Sequence, residues 1–275
     1  MFQILNRQRL NDAVTSITVS APLIAKKAKA GQFVIIRVDS KGERIPLTVS
    51  EIDKENGSIT LVVQALGYTT KKLSALQTGE YITDVVGPLG NPTEFGKPKK
   101  AVVVGGGVGC AISLPQAKAL KEMGVETVMI AGFRNKEAVI LEDSMKQNSD
   151  SLYIATDDGS YGEKGFVTDI LERVIKEGGC DLVVAVGPVP MMKAICNLTK
   201  DFGIKTIVSL NPIMIDGTGM CGGCRVNVGG KIKFACVDGP DFDGHEVDFA
   251  ELALRNNTYR EEQDHICRLG VNENG

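Results

Sequence analysis

At 275 residues, with 43% hydrophobic and 24% charged side chains, the chain is long enough for two compact domains and apolar enough to bury real cores. A net charge of −3 leaves no electrostatic footprint for nucleic acid or an anionic membrane, and no apolar run approaches a membrane span, so neither is expected as a partner. The N-terminus turns polar too early for a secretory leader, which points to a cytoplasmic location, and with only 2 histidines neither histidine-based catalysis nor a histidine-rich metal site is expected.

Residues 1–97 read as antiparallel β. Short runs rich in β-branched residues recur at 14–19, 33–38, 59–63 and 81–86, separated by turn residues such as Gly31, Asn56-Gly57, Gly79 and Pro88-Leu89-Gly90. A helical stretch over 70–76 interrupts them. Several short strands at close spacing predict a small barrel.

Residues 98–210 change pattern. Continuous apolar runs at 101–104, 127–131, 151–155, 182–186 and 205–210 alternate with amphipathic stretches, the first of these over 111–123. That alternation predicts a parallel sheet covered on both faces, an α/β domain beside the all-β one. The first run leads into Gly105-Gly106-Gly107-Val108-Gly109 and then a helix. Glycine there lets a diphosphate approach the backbone and meet the first helical amides. The spacing is not the full G-x-G-x-x-G fingerprint, and the same turn also serves a ligand-free strand–helix connection. Two more strand ends, Asp157-Asp158-Gly159 and Gly187-Pro188 through Met191, leave the same carboxyl edge of the sheet, where ligands of open α/β sheets bind. Together they favour a nucleotide cleft. Met191-Met192 also suits plain core packing at a helix start.

Residues 211–275 are expected to carry a cluster loop and a polar tail, with helices over 248–255 and 259–268 and a frayed end over 271–275. Of the 7 cysteines, Cys110, Cys180 and Cys196 are scattered as buried structural thiols would be. The other grouping is D-x4-C-x2-C-x11-C, formed by Asp216, Cys221, Cys224 and Cys236. It matches the plant-type [2Fe–2S] spacing, except that aspartate stands in the first position. Gly217, Gly219, Gly222 and Gly223 suit a loop that turns tightly and points amides at sulfur. Two alternatives stay open. One is a zinc site of Cys221, Cys224, Cys236 and His245, which does not require the glycine-rich spacer. The other places Cys267 as the fourth ligand in place of Asp216.

Barrel, nucleotide-type domain and [2Fe–2S] loop, in that order, resemble the ferredoxin–NADP reductase superfamily with a C-terminal cluster. Within it the whole chain is similar to the small subunit of NADH-dependent ferredoxin:NADP oxidoreductase, the sulfide dehydrogenase beta subunit and the dihydroorotate dehydrogenase B electron-transfer subunit. The resemblance implies an FAD site at Arg44, Pro46, Leu47 and Thr48, along Val63, Gln64 and Ala65, and at the diphosphate turn Gly67, Thr69 and Thr70. It implies NAD(H) contacts at Gly106, Gly107, Val108, Gly109, Asp157, Asp158, Gly159, Gly187, Pro188 and Met191. Asp216 in the cluster loop leans toward the ferredoxin:NADP oxidoreductase branch. The implied activity is oxidation of NADH via FAD and a [2Fe–2S] cluster, in a heterodimer with a larger flavin and iron–sulfur subunit that couples NADH, NADPH and ferredoxin. Any electron bifurcation would reside in that complex. Hydride transfer needs no side-chain acid or base, so no catalytic residue is assigned. The alternatives are the electron-transfer subunit of dihydroorotate dehydrogenase B and a zinc-stabilised nucleotide-binding regulator. Arg134, at the end of the second parallel strand, suits a 2′-phosphate, so the expectation of NADH rests on the resemblance.

Overall fold

The structure, a computed structural model, describes residues 1–262 and residue 265. Cys267, the tail over 271–275 and much of the helix predicted over 259–268 lie outside those residues. Among the described residues no helix is long and apolar enough to cross a membrane.

Seven antiparallel strands form the first sheet: β1 (Phe2–Arg9), β2 (Val14–Ser20), β3 (Phe33–Arg37), β4 (Arg44–Asp53), β5 (Ser58–Gln64), β6 (Tyr81–Ile82) and β7 (Asp84–Leu89), in the order β6-β1-β2-β5-β4-β3-β7. β6 and β7 stand at opposite edges of this sheet, yet Thr83 alone separates them in sequence. The sheet must therefore curl until its edges nearly meet, which makes it a near-closed barrel. Its interior is aliphatic, with Ile4, Ile17, Val34, Ile36, Ile59 and Leu61 buried. Helices α1 (Pro22–Lys27) and α2 (Tyr68–Ala75) bracket the barrel.

Three of these elements carry weak sequence signals. β1 buries only Ile4 fully and β4 only Val49, so neither shows a strong alternation, and β4 also contains a proline. α1 has only 6 residues, too few for helical periodicity. The run predicted over 81–86 is two strands, since the chain crosses there from one sheet edge to the other.

The second sheet has the order β11-β10-β9-β8-β12-β13-β16. It is built from β8 (Lys100–Gly106), β9 (Glu126–Phe133), β10 (Ser151–Thr156), β11 (Glu163–Lys164), β12 (Leu182–Val186), β13 (Lys205–Ser209) and β16 (Asp241–Asp243). β8 to β13 run parallel, and β16 pairs antiparallel with β13 at the edge. Strand order turns back at β8 and β12, so the crevice of this open sheet lies between their carboxyl ends. Alternate residues of β8 serve opposite faces. Ala101 and Val103 pack in one core with α3 (Gly109–Glu122) and α4 (Glu142–Gln147). Val102 and Val104 pack in the other with α5 (Val167–Gly178) and α6 (Val189–Asp201). α5 shows why such a helix docks: Val167, Ile170, Leu171, Val174 and Ile175 fall on one face and all are buried.

The last segment is not a separate appendage. The hairpin β14 (Arg225–Val228) and β15 (Lys231–Phe234) leads through α7 (Ala235–Asp238) into β16, which completes the parallel sheet, and α8 (Phe249–Asn256) packs on α6 and β14. The same segment lies on the barrel: Met214, Cys224, Ala235 and Cys236 share a small core with Phe33 and Ile35 of β3.

Candidate functional site

In the barrel, residues 44–48 pair only with β3, through Pro46↔Ile35, Leu47↔Val34 and Thr48↔Phe33. The β4–β5 ladder stops at Val49↔Leu61. A slot therefore opens between residues 44–48 and residues 62–65, and Pro46 is tolerated because its missing N–H faces no ladder there. The chain then leaves β5 through Ala65 and the exposed Leu66 to Gly67, the residue before α2. Gly67 has no side chain to cap the helix, and a Cβ at that position would meet nothing within 4 Å. The turn is closed from within by the Thr70 hydroxyl, which accepts from the Gly67 and Leu66 amides at 2.9 and 3.0 Å. The Thr69 hydroxyl donates to Glu43 at 2.7 Å and so ties α2 to the start of β4. What this turn offers to an anion is consequently backbone amides rather than the two threonine hydroxyls. Arg44 is exposed and Gln64 half-buried at the mouth of the slot. An open ladder, an uncapped helix start and an apolar lip fit a flavin dinucleotide.

In the second sheet, the loops after β8, β10 and β12 do meet at one edge. The Gly107 amide donates to Gly132 at 2.8 Å and the Asp157 amide to Phe133 at 3.1 Å, so the end of β9 holds two of the loops. Met191 links the third. A Cβ on Gly106 would lie 2.5 Å from Met191 Sδ, and one on Gly187 would lie 2.6 Å from Met191 Cε. Gly106 and Gly187 are thus glycine for packing between loops. Gly107 instead has φ +57° and open space around it, the geometry of a backbone that receives a ligand. Val108 precedes α3 and Gly109 begins it, Pro188 precedes α6, and Asp157, Asp158 and Gly159 are exposed at the rim. The Ser160 hydroxyl and amide bond the Asp158 carboxylate at 2.7 and 2.9 Å and hold its pKa below the ordinary value.

The cysteine loop divides into two pairs. Cys224 and Cys236 are buried with their sulfurs 3.2 Å apart, too far for a disulfide, and the Cys236 amide donates to Cys224 Sγ at 3.4 Å. Asp216 and the exposed Cys221 form the other pair: Asp216 accepts from the Thr218 amide at 2.8 Å and the Cys221 amide at 2.7 Å. Those bonds, the Thr218 amide first, keep the Asp216 carboxyl ionised below its usual range. The Gly223 amide points at Cys221 Sγ at 3.5 Å. Among the described residues no group of three or more His, Cys, Asp or Glu side chains is arranged to hold a single metal ion. His245 bonds instead with Thr199 at 3.0 Å, away from the thiols, which removes it from a zinc set. A [2Fe–2S] cluster needs two ligands on each of two irons, so two pairs rather than one convergent set, and amides aimed at sulfur, fit it. Burial pushes the Cys236 thiol up to about 12, so a bound cation is needed to hold it as thiolate. By contrast Cys110 and Cys196 are buried among core side chains, and burial pushes the Cys110 thiol up to about 12. Cys180 is only partly covered.

Sequence reasoning missed β3 as the element that links the two sites. Its residues Phe33–Ile35 pair with Thr48–Pro46 on one side, and Phe33 and Ile35 pack against the cysteine loop. β3 is thus the direct neighbour of the slot strand, and Ile35 and Phe33, which meet the cysteine loop, stand opposite Pro46 and Thr48 on the same sheet face. Gly217 makes this approach possible. Its φ is +76°, and a Cβ there would lie 2.6 Å from Leu89 Cδ1 and 3.1 Å from Ile35 Cγ1. In a Gly217→Ala variant the loop must lift from the barrel, at a cost of about 1–3 kcal/mol, and iron content after purification should fall while bound flavin is unchanged. Normal iron at normal thermal stability would contradict this reading.

Comparison with known proteins agrees with this layout. Residues 211–248 match the family model described as the iron–sulfur cluster binding domain of dihydroorotate dehydrogenase B. A Thermotoga maritima protein named dihydroorotate dehydrogenase B (NAD(+)), electron transfer subunit homolog, is 48% identical over 261 residues, covering 95% of this chain and 92% of that one. The Fusobacterium nucleatum electron transfer subunit of dihydroorotate dehydrogenase B is 35% identical over 228 residues, covering 79% and 86%. A solved structure of an NADH-dependent reduced ferredoxin-NADP oxidoreductase, studied for flavin-based electron bifurcation, superposes with TM-score 0.93 at 47% identity over 98% of this chain and 96% of that one.

Proposed function

Because the chain belongs to the family of dihydroorotate dehydrogenase B electron-transfer subunits and their homologues, we propose that it oxidises NADH in a complex that couples NADH, NADPH and ferredoxin. The enzyme class is that of the family: an NAD(P)H-dependent flavin and iron–sulfur oxidoreductase subunit that carries FAD and a [2Fe–2S] cluster and works beside a larger subunit. That class sets aside a zinc-stabilised regulator without redox chemistry. The observation that carries the finer reading is the 47% identity to the ferredoxin-NADP oxidoreductase chain over barrel, sheet and cysteine loop together.

Bound FAD would supply hydride-accepting chemistry toward the nicotinamide, and a bound cluster would supply one-electron chemistry. The protein's own part is placement. The slot beside Arg44, Pro46, Leu47 and Thr48, faced by Val63, Gln64 and Ala65, orients the flavin ring, and the amides after Gly67 receive the diphosphate. Gly107, Val108 and Gly109 receive the coenzyme diphosphate, with Gly187, Pro188 and Met191 closing the crevice opposite and Asp157, Asp158 and Gly159 at its rim. Asp216 with Cys221, and Cys224 with Cys236, would hold one iron each. Cys221, exposed beside Met220 at 88% exposure, marks the side from which electrons leave for the partner.

A second reading, the electron-transfer subunit of dihydroorotate dehydrogenase B, is favoured by the match over 211–248 and by the Fusobacterium relative. Affinity isolation of the tagged chain from its native cells separates the two. Recovery of a larger flavin and iron–sulfur subunit with NADPH- and ferredoxin-linked activity is expected. Recovery of a dihydroorotate-oxidising subunit would replace the first reading with the second.

A further inference from the structure

Asp241 takes no part in the three sites above, yet it stands where barrel, nucleotide sheet and cysteine segment meet. It opens β16, pairing with Ser209 of β13. Its Oδ2 contacts the Thr93 hydroxyl of the barrel at 2.5 Å and the Gln116 amide of α3 at 3.0 Å. Gly31 of the barrel approaches so closely that a Cβ there would lie 2.1 Å from Thr93 Oγ1 and 2.9 Å from Asp241 Oδ2. Although part of the residue reaches the surface, its carboxyl is enclosed. Asp241 Oδ1 and Gln116 Oε1 are both shut off from solvent with no hydrogen-bond partner. Two orphaned acceptors at one junction are costly, and an ionised carboxylate would be far costlier there than a neutral acid.

We propose that Asp241 is held as a neutral carboxylic acid and is a positioning residue that locks the cysteine segment and α3 onto the barrel, so that the junction loosens when it ionises. No charged side chain among the described residues faces it. The barrel presents Thr93 and Gly31, α3 presents Gln116 and β13 presents Ser209, all neutral. Burial raises its pKa above the ordinary carboxylate value, against the weaker opposing pull of the Thr93, Ser209 and Gln116 groups. The sign follows from linkage. With the folded-state pKa raised, stability from this group is full below the unfolded-state pKa and is lost as pH rises through the folded one.

The positioning role rests on the electron-transfer reading; the protonation state does not. Both are read on anaerobically prepared holoprotein. Asp241→Asn keeps the shape and is permanently neutral. Wild-type melting temperature should fall relative to Asp241→Asn as pH goes from mildly acidic to alkaline, and the infrared spectrum at neutral pH should carry a protonated-carboxyl band that the variant lacks. A melting temperature lowered equally at every pH in Asp241→Asn, or the absence of that band, would overturn the neutral acid. Asp241→Leu should slow electron delivery from reduced flavin to the cluster by roughly tenfold to a hundredfold, with hydride uptake unchanged and Asp241→Asn near wild type. Where Asp241→Leu does not fold, Gln116→Leu serves the same arm. Unchanged delivery in the folded variant would overturn the positioning role. A preparation without flavin or iron would count against the proposed function, while the melting and infrared measurements would still report on Asp241.

Discussion

A Cys236→Ala variant, purified without air, should lose its iron and acid-labile sulfide while bound flavin stays stoichiometric. Cys236 is buried against Cys224 in the small core on β3, so alanine leaves that packing nearly intact and removes only the proposed ligand. The flavin slot lies beyond β4, between residues 44–48 and 62–65, and none of those residues belongs to the small core of the cysteine loop. NADH-dependent reduction of an artificial hydride acceptor should therefore stay within about twofold of wild type, whereas delivery to the native partner should drop by roughly a hundredfold. The split between the two assays carries the information. Equal loss in both would mean that the loop supports the barrel as structure and is not the outgoing branch of the electron path.

The second large effect is expected in the nucleotide crevice. Gly187 sits within 3.2 Å of the Gly106 backbone, measured from where a Cβ would stand, with the Met191 methyl closer still. Alanine could be accommodated by a swing of the Met191 side chain. Valine cannot, because its second branch meets the backbone of the facing loop. Gly187→Val should thus raise KM for NADH by roughly a hundredfold, with flavin and cluster content near wild type and the nucleotide domain destabilised by about 1–3 kcal/mol. A rise in KM matched by loss of flavin would instead indicate a collapsed domain.

Much of this was legible in the residues, for reasons that differ from site to site. The parallel strands announced themselves because both faces of their sheet are buried, which leaves uninterrupted runs such as Ala101–Val104 of β8. The cysteine loop was legible because a cluster fixes ligand spacing along the chain, and spacing is what a sequence records. β4 was not, because a strand that pairs on one side only through residues 44–48 buries little and tolerates Pro46. β16 and the Asp241 junction were invisible for a different reason. Thr93, Gln116 and Asp241 are distant in sequence and polar, so no periodicity links them, and the bond from Thr93 to Asp241 spans 148 positions. Spacing also could not say that the four residues proposed as cluster ligands fall into two pairs, since that depends on the Asp216 carboxylate folding back onto the Cys221 amide. Nor could it show that β3 carries the cysteine loop on its outer face directly beside the slot strand.

A flavin in the barrel slot is proposed to feed a cluster on the cysteine loop along the outer face of β3 and β4, where Phe33 and Ile35 stand opposite Thr48 and Pro46. Anaerobic purification followed by iron, sulfide and flavin analysis, with an EPR spectrum recorded after addition of NADH, tests it most directly. One flavin, two irons and two sulfides per chain are expected, with a reduced-cluster signal that appears on NADH addition and is absent from Cys236→Ala. A chain that carries zinc in place of iron, or whose cluster stays oxidised while its flavin bleaches, would contradict it.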